Sequence, residues 1–343
     1  MTEERFLITG AMGCLGAWTV RELVREGTPV VAFDLSTDAR RLRLIMSDDE
    51  LARVTFQTGD ITDLAQVVSA VETHGITHIV HLAALQIPFC RADPVRGAQV
   101  NVVGAVNVFE AAKHRRVRGL AFASSVAVYG PPSDYPPGPV AANARLNPAT
   151  HYGVYKVANE GTARVYWASD GVASVCLRPH TVYGVGRDQG MTSTPTVAML
   201  AAAAGKPYRI SYGGHSLLQH ARDVARAFIQ AARCGQQGAS VFNLGGAMCH
   251  MSEIVAAIES AAPEVKGRIA FEPTPIPYPA EFADDGIENA TRPIARPPAT
   301  PRPDNSLRST STNQCVAVAS LAARPRCTAA GQPKPDRPPL RRR

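Results

Sequence analysis

A chain of 343 residues, 45% apolar and 19% charged, is long enough for one large or two ordinary domains with a sizeable core. No apolar run reaches the roughly 18 residues of a membrane span, Val197–Ala204 being the most tempting stretch, and the opening MTEERFLITG puts acids where a secretory signal carries bases. The net charge of +7 is uneven: residues 291–343 hold ten Arg and one Lys against two Asp, a surplus of nine that leaves residues 1–290 at −2, so the body itself offers little to nucleic acid.

Up to residue 183 short apolar runs alternate with helical patterns, which predicts a parallel α/β sheet. Arg5–Thr9 opens as a strand and runs into TGAMGCLG, Thr9–Gly16, ahead of a helix at about 14–26. Gly10 permits the tight turn, Gly13 lets backbone N–H groups approach a pyrophosphate, and Gly16 lets helix and strand pack closely, with the helix N-terminus facing the phosphate charge. Pro29–Phe33 is the second strand, ending on Asp34. A carboxylate there accepts hydrogen bonds from the adenosine ribose and repels a 2′-phosphate, favouring NAD over NADP, although Arg40 and Arg41 nearby keep NADP open as an alternative. Arg53–Phe56, a helix at 63–74, Thr77–His81, a helix at 95–115 and the strand Gly119–Ala123 follow.

After that strand comes SSVAVYG, with Ser124, Ser125 and Tyr129, and then YGVYK, with Tyr152 and Lys156 at the start of a helix at 152–169. Positions i and i+4 share a helix face, so the phenol and the ammonium project together. A free phenol has a pKa near 10 and is a poor base at neutral pH. A neighbouring ammonium and a positive nicotinamide ring would lower it, and a serine hydroxyl opposite would hold the substrate oxygen in line. The strand Ala173–Leu177 ends this part.

From 184 to 290 the pattern shortens: helices at Thr194–Ala204 and Asp223–Arg233, a strand at Ser240–Leu244, and a helix at Ser252–Ala262 starting on a serine cap. We expect a Rossmann-type doubly wound parallel sheet in an NAD-binding domain over 1–183. A smaller C-terminal substrate lobe over 184–290 has elements returning to the main sheet. A disordered Arg/Pro-rich tail occupies 291–343, where ten Pro and ten Arg leave no helical or strand period. The tail lacks the interleaved aromatics of an RNA-binding segment, and out-of-frame reading of GC-rich coding DNA yields text of the same kind.

The sequence resembles the extended short-chain dehydrogenase/reductases, the NAD-dependent epimerase/dehydratase family, over roughly residues 5–260. The likeness runs through the glycine loop, GDITD, HLAA, Asn101–Ala112 (NVVGAVNVFEAA), SSVAVYG, PATHYGVYK, LRPHTVYG and FNLGG. It implies that Ser125, Tyr152 and Lys156 are catalytic: a hydroxyl on the substrate oxygen, the acid/base, and the residue on the nicotinamide ribose. It also implies a cofactor set. Gly10, Met12, Gly13, Cys14, Leu15, Gly16 and Asp34 take the phosphates and ribose. Asp60 and Ile61 flank the adenine, Leu82, Ala83 and Ala84 lie on the nicotinamide side, and Gln86, Asn101 and Pro179 are further contacts alongside Tyr152 and Lys156. Ser125, Val126, Thr181 and Arg187 form the substrate set.

The expected activity is therefore NAD-dependent oxidation of a secondary alcohol on a sugar or sugar-derived substrate, with a UDP-glucose 4-epimerase-like enzyme and a non-catalytic NAD(P)-binding sensor as alternatives. Intact Ser125, Tyr152 and Lys156 argue against the sensor, and Val126 and Ala127 after Ser125 argue against a dehydratase, which places an acid there. Thr181 stands where many nucleotide-sugar members carry Asn. Ser216 and Leu217 occupy the places of an Arg-Asp pair that binds diphosphate, leaving Arg187, Arg209 and Arg222 as substitutes. Seven widely spaced cysteines without a CxxC argue against a disulfide framework or zinc site and for a cytoplasmic protein. The His residues show no metal-ligand spacing, so no metal is expected. A sugar or sugar-acid substrate and a homodimer through the helices near 95–115 and 152–169 complete the expectations.

Overall fold

A computed structural model describes residues 3–283. The first part runs β1 (Phe6–Thr9), α1 (Cys14–Arg25), β2 (Val30–Asp34), α2 (Arg40–Arg43), α3 (Asp48–Leu51), β3 (Thr55–Thr58), α4 (Leu64–Thr73), β4 (His78–His81), α5 (Ile87–Ala92), α6 (Pro94–Ala98), α7 (Gly104–Arg115), β5 (Gly119–Ala123), α8 (His151–Asp170), β6 (Ser174–Arg178) and β7 (Thr181–Tyr183). It continues with α9 (Thr194–Ala203), β8 (Tyr208–Ile210), β9 (His215–His220), α10 (Ala221–Arg233), β10 (Ala239–Asn243), β11 (Ala247–His250), α11 (Met251–Ala261) and β12 (Ile269–Phe271).

Seven strands form one parallel sheet in the order β10-β6-β5-β4-β1-β2-β3. Its inner strands, β6, β5, β4, β1 and β2, are buried on both faces, as the unbroken apolar runs predict, while the edge strands β3 and β10 are more exposed. Phe6 and Ile8 of β1 point to one side, where Val20 and Leu23 of α1 and Phe228 and Ile229 of α10 complete the core. Leu7 points to the other, against Val108 and Phe109 of α7 and with Leu120 and Phe122 of β5. The Rossmann-type fold class is thus the observed one. β10 comes from the C-terminal half and returns to the edge of the main sheet beside β6. β11 and β9 join β7 in a three-stranded sheet, β11-β9-β7, and β12 pairs with β8, around a core of Met199, Ile210, Tyr212, Met251, Ile254 and Ile258, while α10 packs on the main sheet.

Three local expectations change. The helix over 95–115 is interrupted: Gln99–Val103 is a π-helical turn between α6 and α7. Apolar residues continue across it, so the break leaves no mark in the sequence pattern. The last helix starts one residue early, on Met251, because the His250 ring rather than Ser252 accepts the first free N–H, with Glu253 closing the reciprocal bond. β3 lies at Thr55–Thr58, a little beyond the apolar run Arg53–Phe56, since an edge strand needs fewer buried side chains. The expected tail, 291–343, lies outside the described residues. Among these residues no helix is long and apolar enough to cross a membrane.

Candidate active site

One cleft of about 770 Å³ opens along the carboxyl ends of the sheet strands, where β1 and β4 diverge to opposite sides of the chain order. This is where doubly wound sheets bind ligands. The turn after β1 is closed by Gly13 N–H donating to Gly10 O at 3.0 Å. Gly10 has φ +71°, and a Cβ there would stand 2.6 Å from Ala83 N; a Cβ on Gly16 would stand 2.1 Å from Gly10 O. Side chains are therefore excluded from the turn, and α1 begins directly behind it on Gly13 with no side-chain cap and no acid in its first turn. Its free N–H groups and positive dipole end suit a pyrophosphate.

Asp34 ends β2 on the cleft wall, its oxygens accepting from Met12 N at 2.9 Å and Ser36 N at 2.9 Å. Each oxygen keeps lone-pair capacity for a ribose hydroxyl. Of the two residues that keep NADP open, Arg41 donates to Met12 O at 3.0 Å and pairs with Asp188 at 2.7 Å, and Arg40 pairs with Asp38 at 3.4 Å. Asp60 accepts from Thr62 N and Oγ1, both at 2.8 Å, and lies 3.4 Å from Arg96. Gly59, Asp60, Ile61, Leu82, Ala83 and Ala84 continue the wall.

Deeper in the cleft stand Ser125, Tyr152 and Lys156. Thr150 caps α8 by accepting from Gly153 N at 3.0 Å, so the helix starts just before the phenol. Lys156 is 2% exposed, donates to Ala123 O at 2.7 Å, and lies 5.5 Å from the centre of the Tyr152 ring. Burial pulls its pKa down to about 8. Burial also pushes the Tyr152 phenol up to about 12, while the Ser125 hydroxyl and the Arg187 charge pull the other way. The lowering expected from Lys156 is thus not what acts on the phenol: Ser125 and Arg187 are the groups that pull it down, against the larger effect of burial. Ser124 turns away from the reacting side and donates to Glu160 at 2.6 Å. Glu160 and Arg178 form a buried pair at 2.6 Å, and Arg178 also donates to Tyr129 Oη. The tyrosine of SSVAVYG belongs to this network under the site.

Val126, Pro179, Thr181, Arg187 and Gln86 also line the cleft. Met12 and Asn101 do not. Met12 tucks behind the glycine turn, its backbone engaged by Asp34 and Arg41. Asn101 is buried in the π-helical turn, donating to Leu85 O at 3.1 Å and Gly97 O at 3.0 Å. Of the substitute arginines only Arg187 reaches the cleft: Arg209 pairs with Glu272 and Arg222 with Glu22. Ser216 and Leu217 are buried on β9. Sequence reasoning missed His180, Met191, Thr192, Ile276 and Tyr278, which close the substrate side from separate segments. The position of His180 inside LRPHTVYG was a usable signal; the others carry none. Among the described residues no cluster of three or more His, Cys, Asp or Glu could hold a metal ion.

A family model for the NAD dependent epimerase/dehydratase family matches residues 6–245. The chain belongs to this family. Among curated relatives, UDP-glucose 4-epimerases of Lactobacillus helveticus and Mycolicibacterium smegmatis are 31% and 32% identical, over 54% and 70% of this chain. The matches span 53% of the first relative's own length and 77% of the second's. A solved structure of a GalE-like L-threonine dehydrogenase from Cupriavidus necator is 25% identical, with a TM-score of 0.70 over 84% of this chain and 93% of its own. The protein is thus an NAD-dependent enzyme of the epimerase and dehydrogenase kind on the extended short-chain dehydrogenase/reductase fold.

Proposed function

We propose that the enzyme oxidises a secondary alcohol on a sugar or sugar-derived substrate, with Tyr152 as the proton acceptor. The observation that carries this reading is the convergence of Tyr152, Ser125 and Lys156 in the cleft that also holds the glycine turn. That turn, the α1 N-terminus and Asp34 fit a dinucleotide: Gly10, Gly13 and Gly16 would hold its pyrophosphate, Asp34 its ribose, Asp60 and Ile61 its adenine, Leu82, Ala83 and Ala84 its nicotinamide side, and Lys156 the second ribose. When bound, NAD supplies the two-electron acceptor for the hydride leaving the carbinol carbon. Tyr152 takes the hydroxyl proton at Oη. Ser125 holds the same substrate oxygen and orients it toward the phenol. Lys156 adds positive charge beside the phenolate in a desolvated site, where such charge acts strongly.

Tyr152→Phe tests this reading. It removes the proton acceptor alone, so turnover followed by NADH absorbance and product analysis is lost while NADH affinity changes by less than roughly tenfold. Normal turnover in that variant refutes the mechanism. UDP-sugar 4-epimerisation is the second reading, favoured by the relatives named above.

The proposed assembly is a homodimer through α6, α7 and α8. Of these, α6 and α8 leave apolar side chains in solvent, Val95 at 70%, Val165 at 62% and Val154 at 49% exposure. Light scattering at micromolar concentration checks this, and a monomer removes it. The catalytic unit divides near residue 183 into cofactor and substrate portions, and a cytoplasmic setting is proposed on the free thiols of Cys14, Cys90, Cys176 and Cys234, although Cys249 is disulfide-bonded, contrary to the expectation from cysteine spacing.

A further inference from the structure

Two buried polar atoms of cleft-lining side chains have no hydrogen-bond partner among the described residues: Arg187 Nε, a donor, and Gln86 Oε1, an acceptor. Buried polar atoms of native folds are hydrogen-bonded, so an orphaned donor and acceptor in one cleft mark what a ligand supplies. The two are neighbours. A Cβ on Gly190 would stand 2.0 Å from Gln86 Oε1 and 3.3 Å from Arg187 Nη2, so the turn after Arg187 folds across Gln86.

Arg187 Nη2 donates to Thr192 Oγ1 at 3.2 Å, and among the described residues no carboxylate forms an ion pair with the guanidinium. Asp188, next in the chain, faces Arg41 at 2.7 Å and Arg40 at 3.9 Å instead. A cation without a counter-ion thus shares the cleft with Tyr152. The Nε edge of a guanidinium together with an Nη matches the two oxygens of a carboxylate.

The surrounding groups narrow the ligand further. A nucleoside diphosphate brings two phosphate charges. Yet Ser216 donates to Thr181 Oγ1 at 2.8 Å inside the fold, Leu217 is buried, and Arg209 and Arg222 are paired with Glu272 and Glu22. The acids on the cleft wall are Asp34, which accepts from Met12 N and Ser36 N, and Asp60, which accepts from Thr62 and pairs with Arg96. No carboxylate of the described substrate side is therefore placed to receive an ammonium. Apolar walls come from Ile87, Met191, Ile276 and Tyr278.

Resting on the oxidation reading above, we propose that the substrate is a small polyhydroxy carboxylic acid without a nucleotide. Its carboxylate pairs with Arg187, a hydroxyl donates to Gln86 Oε1, and its reacting secondary alcohol lies at Tyr152. The acid loses a hydride from the carbinol carbon to NAD and the hydroxyl proton to Tyr152, becoming the keto acid, or the lactone where that carbon is the hemiacetal carbon of a ring-closed acid. The carboxylate is unchanged.

The test uses the full chain with NAD and a panel of gluconate, galactonate and glucuronate, the neutral sugars glucose and galactose, L-threonine, and UDP-glucose. The expected result is NADH formation from an acid with a kcat/KM well above that of any neutral sugar. Arg187→Met then raises KM for that acid by roughly 10- to 100-fold with kcat little changed, since a hydrogen-bonded charge pair contributes about 1.5–3 kcal/mol. Arg187→Lys keeps the charge without the fork and falls between the two. Unchanged melting temperature and NADH affinity in both variants show that the effect lies at the substrate. Preference for UDP-glucose, L-threonine or a neutral sugar overturns the inference, as does failure of every acid or an unchanged KM in Arg187→Met. If such a preference is accompanied by loss of turnover in Tyr152→Phe, the oxidation reading still stands. Turnover surviving Tyr152→Phe overturns that reading and this inference together.

Discussion

Lys156→Met should make the protein more stable while removing its activity. The ammonium is 2% exposed, has a single bond to Ala123 O, and forms no ion pair with a described carboxylate. Its pKa of about 8 lies far below the ordinary lysine value, and the gap corresponds to roughly 3 kcal/mol of disfavoured charge at pH 7. Methionine has a similar unbranched shape and no charge. The variant gives up the bond to Ala123 O, about 1–2 kcal/mol, so the net gain is about 1–2 kcal/mol. For a protein of this size that is a rise of about 3 °C in Tm. The sign of the pH dependence follows from the lowered folded pKa. The native wild type releases this proton near pH 8 and the unfolded chain keeps it to about 10.4, so wild-type stability rises with pH across that window relative to the variant. By pH 10 the penalty has shrunk to about 1 kcal/mol and the advantage of methionine disappears. Thermal melts of both proteins at pH 7 and pH 10 without cofactor read this directly. A variant that melts below wild type at pH 7, or a gap that does not close by pH 10, refutes the account of Lys156 as a strained charge.

Gly16→Ala puts a methyl 2.1 Å from Gly10 O, which a backbone carbonyl cannot yield; NADH affinity by fluorescence titration is expected to fall at least roughly tenfold. Asp34→Ala removes the ribose acceptor, so the ratio of kcat/KM for NAD over NADP drops at least about tenfold. Wild-type preference for NADP would contradict the role given to Asp34. Glu160→Gln leaves the Arg178 charge buried without its counter-ion, at a cost of about 3–5 kcal/mol, read as a Tm loss of roughly 10 °C. A Tm within 2 °C of wild type would show that water or a neighbour replaces the carboxylate.

Much of this architecture is legible in the sequence because parallel strands buried on both faces read as unbroken Val, Ile and Phe runs, and because the glycine turn sits between the first such run and a helix. The placing of Ser125, Tyr152 and Lys156 in one cleft follows from local spacing behind strands whose order the fold class fixes. The substrate side was not legible for the same physical reason. Met191, Thr192, Ile276 and Tyr278 come from segments with no common period, and they meet through tertiary packing alone. Arg187, Arg209 and Arg222 look alike as text; only the positions of Glu272 and Glu22 show which two are spent. Spacing shows an ammonium near the Tyr152 phenol, but not that burial raises the phenol's pKa and that Ser125 and Arg187 are what oppose it.

The π-helical turn at Gln99–Val103 amounts to a phase shift carried inside one continuous rod. Each residue of a helix advances about 100°, so deleting one residue there would regularise the ladder and swing α6 through more than a quarter revolution relative to α7. Arg96 would leave Asp60, now 3.4 Å away, and Pro94 O would leave the Tyr155 hydroxyl, now 2.8 Å away. One surplus residue, far from the chemistry in sequence, therefore sets the azimuth at which α6 meets both the β3 turn and the helix that bears Tyr152. Any design that idealises this rod would detach the two ends of the cleft from their common strut.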